Sequence, residues 1–194
     1  MKKDIRKLHL GCGKNILPGW INLDYVPLEG VDILANLDEC KTTKLPFKDD
    51  SIDELLANHL IEHLHNPLPF MEELHRIAKP NAKAVFRVPY GSSDDAFEDP
   101  THVRQYFLNS FQYFSQPLYW RADYGYRGDW LTEKIDLIVE ADSHKGETPE
   151  EIMWQVHTFR NIVKEMVVEL RAIKPIREPK RELQVLPKIE ITLA

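Results

Sequence analysis

Three groups of side chains in this chain have the types and spacing for chemistry. In the first, the apolar run Leu8-His9-Leu10 enters Gly11-Cys12-Gly13, and Ile21-Asn22-Leu23 ends in Asp24. Glycines let backbone approach a ligand with no Cβ in the way. A carboxylate at the tip of the next strand can accept hydrogen bonds from both hydroxyls of a ribose. The pair therefore reads as a nucleoside-binding layout. The second group is His59, Glu62 and His63, and the third is Asp99-Pro100-Thr101-His102-Val103-Arg104. Both supply imidazole and carboxylate, the groups that move protons near neutral pH.

A dinucleotide site wants Gly-x-Gly-x-x-Gly and an acid about 20 residues later. Here Ile16 takes the third glycine's place and the acid arrives sooner. Residues 14–20 are too few for a crossover helix, whose N-terminus would hold a pyrophosphate. A ligand without phosphates does without that anion site. The short connection thus favours S-adenosylmethionine (SAM) over NAD, although parallel strands usually need about a dozen connecting residues.

Strands are expected at Lys7–Leu10, Ile21–Leu23, Val31–Leu34, Glu54–Ala57 and Ala82–Val88. Phe70, Met71, Leu74, Ile77 and Ala78 fall at helical spacing over Pro67–Ala78, and Lys79-Pro80-Asn81 stops that helix. Alternating strands and helices imply a parallel sheet covered on both faces. Trp130–Val139, Met166–Ile173 and Lys188–Leu193 read as later strands, the last at an edge behind Pro187. Thr148-Pro149-Glu150-Glu151 starts a helix expected to reach Val163. Residues 92–102 form an acidic loop, and ten aromatic residues fall between 106 and 130. The span 92–130 reads as an acceptor-site lid or as a small satellite core. The basic run from Lys174 to Arg181 reads as a solvated connector within a C-terminal extension, 175–194.

Four segments, in order, resemble the class I SAM-dependent methyltransferases of the methyltransferase type 11 group. They are Leu10-Gly11-Cys12-Gly13 with Gly19–Asp24, Leu45–Asp53, Asn58–Leu64, and Ala78-Lys79-Pro80-Asn81 in place of the usual Leu-Lys-Pro-Gly-Gly turn. Asp99–Arg104 looks like the signature of one subgroup. The resemblance spans about residues 7–107. It implies an α/β Rossmann-like fold with a mostly parallel sheet, an antiparallel C-terminal strand and a shortened first crossover, all in one domain, 1–194. It also implies cofactor contacts. Leu10, Gly11, Cys12 and Gly13 pass under the methionine tail, and Asp24 holds the ribose. Asn36 and Leu37 flank the adenine, while Asn58 and His59 line the sulfonium side. Glu62, His63, Arg104 and Tyr106 border the acceptor.

Methyl transfer is an in-line displacement at a sulfonium, so alignment is the protein's main task. A hydroxyl or amine acceptor also needs a base. His59, Glu62, His63, Asp99 and His102 are candidates. The choice falls on His102 oriented by Asp99, against the alternative that Asp99 or Thr101 only forms a turn or helix cap. This reading needs no metal; S-adenosylhomocysteine (SAH) is its product. Two rivals stand beside it. His59-Leu-Ile-Glu62-His63 matches the His-x-x-Glu-His pattern of zinc peptidases, with Glu133 or Glu140 as a third ligand. A SAM- or SAH-binding protein without catalysis would look the same.

The chain has 194 residues, 43% of them hydrophobic, enough for a core. Its net charge of −6 opposes a large nucleic-acid footprint and favours a small-molecule acceptor such as a sugar, lipid precursor or metabolite. No apolar run is long enough for a membrane helix, and the charged start has no signal-peptide core. Two cysteines fit a reducing, cytoplasmic setting. The edge strand can pair with a second chain, so a homodimer is possible.

Overall fold

A computed structural model describes residues 5–194; the charged start at residues 1–4 lies outside them. Eight strands form one sheet: β1 (Lys7–Leu10), β2 (Ile21–Asp24), β3 (Ile33–Leu34), β4 (Ile52–Asn58), β5 (Ala78–Pro89), β6 (Trp130–Val139), β7 (Val163–Ala172) and β8 (Lys188–Leu193). Their order is β3-β2-β1-β4-β5-β7-β6-β8. β7 runs antiparallel to β5 and to β6, and the other pairings are parallel. The fold is thus the expected α/β arrangement, with the reversed strand next to last and β8 added at the edge.

The first crossover contains no helix. Ten residues join β1 to β2, which pair in register as Leu8↔Ile21 and Leu10↔Leu23. A buried side chain does the work of helical hydrogen bonds. Asn22 Oδ1 accepts from the Leu17 amide at 3.0 Å, and Nδ2 donates to the Leu17 and Trp20 carbonyls at 3.2 Å. Loop backbone groups that would otherwise lack partners are paired through this one amide. β3 is shorter than expected because Gly30 turns with φ +85° and the Asp32 carboxylate accepts from the Asn22 amide at 2.7 Å.

α1 (Pro67–Ile77) lays Phe70, Met71, Leu74 and Ile77 on the sheet, where Phe70 meets Phe86 edge-on. It hands over to β5 at Ala78, and the expected stop survives as a left-handed Asn81 inside the early part of that strand. α2 (Asp95–Glu98) is a single turn. α3 (Pro149–Thr158) opens with a capping box between Thr148 and Glu151. It ends five residues before Val163, because Asn161 turns left-handed at φ +61° and starts β7 early.

The sheet is not covered equally on both faces, as the alternation had implied. Leu55, Ala57, Phe86 and Val168 are buried, while their alternates Glu54, Arg87, Glu165 and Arg171 stay partly exposed. Among the described residues no helix fills the β1–β2 or β2–β3 connection, so that face meets solvent. Cross-strand ion pairs occupy it: Lys7 with Glu54 at 2.7 Å, Arg171 with Glu133 at 2.6 Å and Lys134 with Glu190 at 2.7 Å.

Much of the aromatic segment packs inward. Tyr106, Phe111, Phe114, Tyr126 and Trp130 are buried as a satellite core, with Trp130 Nε1 donating to the Met71 carbonyl at 3.0 Å. Phe107, Tyr113 and Tyr124 remain exposed. The basic connector is not simply solvated. Lys174 Nζ donates to the carbonyls of Ala78 and Arg76, and Arg177 binds the fully buried Asp129.

Candidate active site

The parallel strands β2, β1, β4 and β5 end along one edge, and the register Leu10↔Leu23 and Leu10↔Ala57 sets the residues that follow them side by side. Gly11 and Gly13 leave β1 with φ of +60° and +52°. Left-handed backbone costs an L side chain roughly 1–2 kcal/mol, which glycine avoids. A Cβ on Gly11 would meet Leu60 Cδ1 at 2.7 Å, whereas a Cβ on Gly13 would meet nothing within 4 Å. The turn is therefore packed on its β4 side and open at Gly13.

Asp24 faces this turn. Its Oδ2 accepts from the Gly13 amide at 2.8 Å and its Oδ1 from the Val26 amide at 3.0 Å. Each oxygen keeps lone-pair capacity for a further donor. Open backbone beside a fixed carboxylate fits an adenosyl ligand without phosphates. Leu10 and Cys12 are buried and offer only backbone, and burial pushes the Cys12 thiol's pKa up. Leu37 is buried after β3. Asn36 caps the turn Leu37–Glu39, with Oδ1 accepting from the Asp38 amide at 3.1 Å and Nδ2 donating to Glu39 at 3.0 Å.

Beyond Asn58 the chain reverses at His59, which holds φ +47°. One 3₁₀ turn, Ile61–His63, follows. His59 and His63 consequently share no helical face, and the zinc-peptidase pattern does not form. His59 instead turns to β7, with Nε2 2.8 Å from Glu165 Oε1. Glu62 first, and Glu165 after it, push the His59 imidazole above its ordinary pKa, against the effect of burial. No local signal in the sequence points to Glu165; it arrives through the antiparallel register Pro89↔Glu165.

Glu62, His63 and His102 converge, each bringing one ligand-type atom within 4.8 Å of the others. The His63 and His102 rings lie edge to face with centroids 4.7 Å apart. Asp99 Oδ2 sits 3.8 Å from His102 Nε2, and Oδ1 accepts from Thr101 Oγ1 at 2.6 Å. Those Thr101 hydrogen bonds, from hydroxyl and amide, hold the Asp99 carboxyl below its usual range. The loop is tied on by the Val103 amide, which donates to the Glu62 carbonyl at 2.9 Å. Asp99 thus holds Thr101 in a turn, as the alternative expected, while the His102 ring nitrogen stays beyond hydrogen-bond distance.

A cavity of about 930 Å³ begins one residue past His102 and two past His63. Arg104, His65, Tyr90, Phe107 and Tyr124 are among its walls. Arg104 donates to the His65 carbonyl at 3.0 Å. Tyr106 lines it too, but its hydroxyl donates to the Ile61 carbonyl at 3.4 Å and burial raises its pKa. Glu62, at 1% exposure, lies behind the surface that an acceptor can reach.

Residues 1–131 match the family of the methyltransferase domain. A SAM-dependent methyltransferase from Archaeoglobus fulgidus has a similar structure, with a TM-score of 0.60 at 16% identity over 86% of each chain. The YcgJ protein of Bacillus subtilis is similar at 0.54 and 14%, over 88% of this chain and 92% of its own. The cyclase SpnF is similar at 0.54 and 12%, over 87% of this chain and 75% of its own. No curated protein matches. By the match over residues 1–131 the chain belongs to the methyltransferase domain family, and its fold is shared with SAM-dependent methyltransferases.

Proposed function

We propose that this enzyme methylates a small molecule held in the aromatic-walled cavity, in a single domain whose segment 92–130 closes over the acceptor. The cavity carries the reading: about 930 Å³ suits one small-molecule ligand, and the chain's net charge of −6 disfavours a nucleic acid. SAM, when bound, supplies the activated methyl group. Gly11, Cys12 and Gly13 present backbone to its amino-acid tail, and Asp24 accepts from its ribose hydroxyls. Leu37 packs on the adenine, with Asn36 fixing the local turn. Asn58 and His59 border the sulfonium side. Arg104 offers its guanidinium to an anionic group of the acceptor, which fits a sugar or lipid precursor carrying a phosphate or carboxylate. His102, backed by Asp99, takes the proton of an acceptor hydroxyl or amine in the metal-free protein.

The test is SAH release from purified enzyme given labelled SAM and fractionated acceptors. Label should move into the low-molecular-weight metabolite fraction. Transfer confined to RNA or to protein would sink the proposal.

A further inference from the structure

We propose that Glu62, His63 and His102 form a site for a divalent transition-metal cation of the zinc class, next in sequence to the cavity-lining Val103 and Arg104. The donors are two imidazoles and one carboxylate, each with a ligand-type atom inside a 4.8 Å span. A tetrahedral ion with bonds of about 2.1 Å keeps its ligands about 3.4 Å apart, so side-chain rotation closes the set. Two nitrogens and one carboxylate suit zinc, cobalt, manganese or iron(II) better than calcium or magnesium, which prefer all-oxygen shells.

The second observation is independent of that geometry. Glu62 is 1% exposed, and neither of its carboxylate oxygens accepts a hydrogen bond. His59 Nδ1 stands at the long distance of 3.5 Å from Oε1. His102 Nδ1 is also buried and unpartnered. A buried carboxylate held by a single long ion pair is poorly compensated for leaving water. One dication satisfies both.

The surrounding groups are arranged as metal-site support. Thr101 Oγ1 donates to Asp99 Oδ1 at 2.6 Å, and its lone pair faces His63 Nδ1 at 2.9 Å. That chain places the His63 proton on Nδ1 and leaves Nε2 as a free donor. Carboxylates commonly orient ligating histidines in this way. Three protein ligands leave a position for an oxygen of the acceptor; a cation there would lower that hydroxyl's pKa, so that its proton leaves to solvent while His102 serves as ligand rather than base.

Cobalt(II) titration of purified enzyme, without SAM, reads the site directly. One equivalent should develop the visible absorption of a low-symmetry cobalt centre, and zinc should abolish it at the same stoichiometry. Glu62→Gln, His63→Gln and His102→Gln should each weaken binding about tenfold or more, and Thr101→Val should weaken it by roughly 10–100-fold. His65→Gln should leave the titration unchanged. Circular dichroism melts show that each variant is folded, and calorimetry with SAM reports the cofactor cleft separately. The proposal is overturned if no cobalt spectrum develops, or if folded His63→Gln and His102→Gln bind as the wild type does. SAM binding that persists in either case leaves the methyltransferase reading standing.

Discussion

The Gly13 amide donates to Asp24 Oδ2 across 2.8 Å, joining the turn after β1 to the tip of β2. The carboxylate is thereby fixed beside open backbone rather than free to rotate. Its energetic part in binding follows from this. Hydrogen bonds to a charged group are worth about 1.5–3 kcal/mol each. Asp24→Ala should therefore weaken SAM binding by roughly 100-fold or more in calorimetry. Asp24→Asn should lose less, since an amide oxygen still accepts. Unchanged affinity in Asp24→Ala would remove the ribose contact from the site.

Asp129 and Arg177 make a different prediction, about stability. Asp129 is fully buried, and Arg177 Nε and Nη2 each donate to it at 2.8 Å. The Arg177 amide adds a third bond at 3.0 Å and the Gln116 amide a fourth at 3.2 Å. Breaking a buried pair by removing one partner leaves a charge uncompensated and costs about 3–5 kcal/mol. Asp129→Ala should lower the melting temperature by roughly 10 °C. Asp129→Ala with Arg177→Met should regain part of that loss, because no charge is then stranded. A drop of only a degree or two in the single variant would show that the pair contributes little.

Where the sequence was legible, the signal was local. Gly11, Gly13 and Asp24 come together as expected, because turn chemistry and strand tips depend on near neighbours. Thr148-Pro149-Glu150-Glu151 announced α3 for the same reason, and its capping box is present. What stayed hidden arises at long range. Arg177 looked like part of a solvated basic run, because Asp129 lies 48 residues away. Glu165 carried no mark until β7 set it against His59. Tyr106 lines the cavity while its hydroxyl donates to the Ile61 carbonyl, 45 residues away in sequence. The half-open sheet face was missed for another reason. The connections before β3 are loops rather than helices, and the first of them is stapled by Asn22.

Two buried imidazoles set a pH dependence of folding. His9 and His75 are 1% and 4% exposed, and in both burial is the main cause of a lowered pKa. Around His75, the Ile173 carbonyl accepts at 3.0 Å, Lys174 lowers the pKa further, and Asp129 and Asp50 oppose it. In the unfolded chain both histidines titrate near about 6.5. Below that pH the unfolded state binds protons that the folded state refuses, so stability falls as pH falls. Above it both states are neutral at these sites and the stabilisation is complete. Each histidine contributes a slope of at most about 1.4 kcal/mol per pH unit. Melting temperatures measured from pH 7.5 to 5.5 should decline for the wild type and less steeply for His75→Gln. An identical slope in the variant would mean that His75 takes up protons alike in the folded and unfolded chain.

Gly11 and Gly13 share a left-handed backbone, and comparing their alanine variants separates the turn's structural cost from its binding role. Both substitutions should cost roughly 1–2 kcal/mol of folding stability for the positive φ alone. At Gly11 the new methyl also meets Leu60 Cδ1 at 2.7 Å, so Leu60→Ala should relieve part of the extra loss. At Gly13 the methyl enters empty space and meets no protein atom within 4 Å. Gly13→Ala should therefore be the milder change in a melt and still obstruct SAM, with the loss of affinity outrunning the loss of stability. If Gly13→Ala binds SAM as tightly as the wild type, the open side of this turn does not face the cofactor, and the cleft must lie on its other flank.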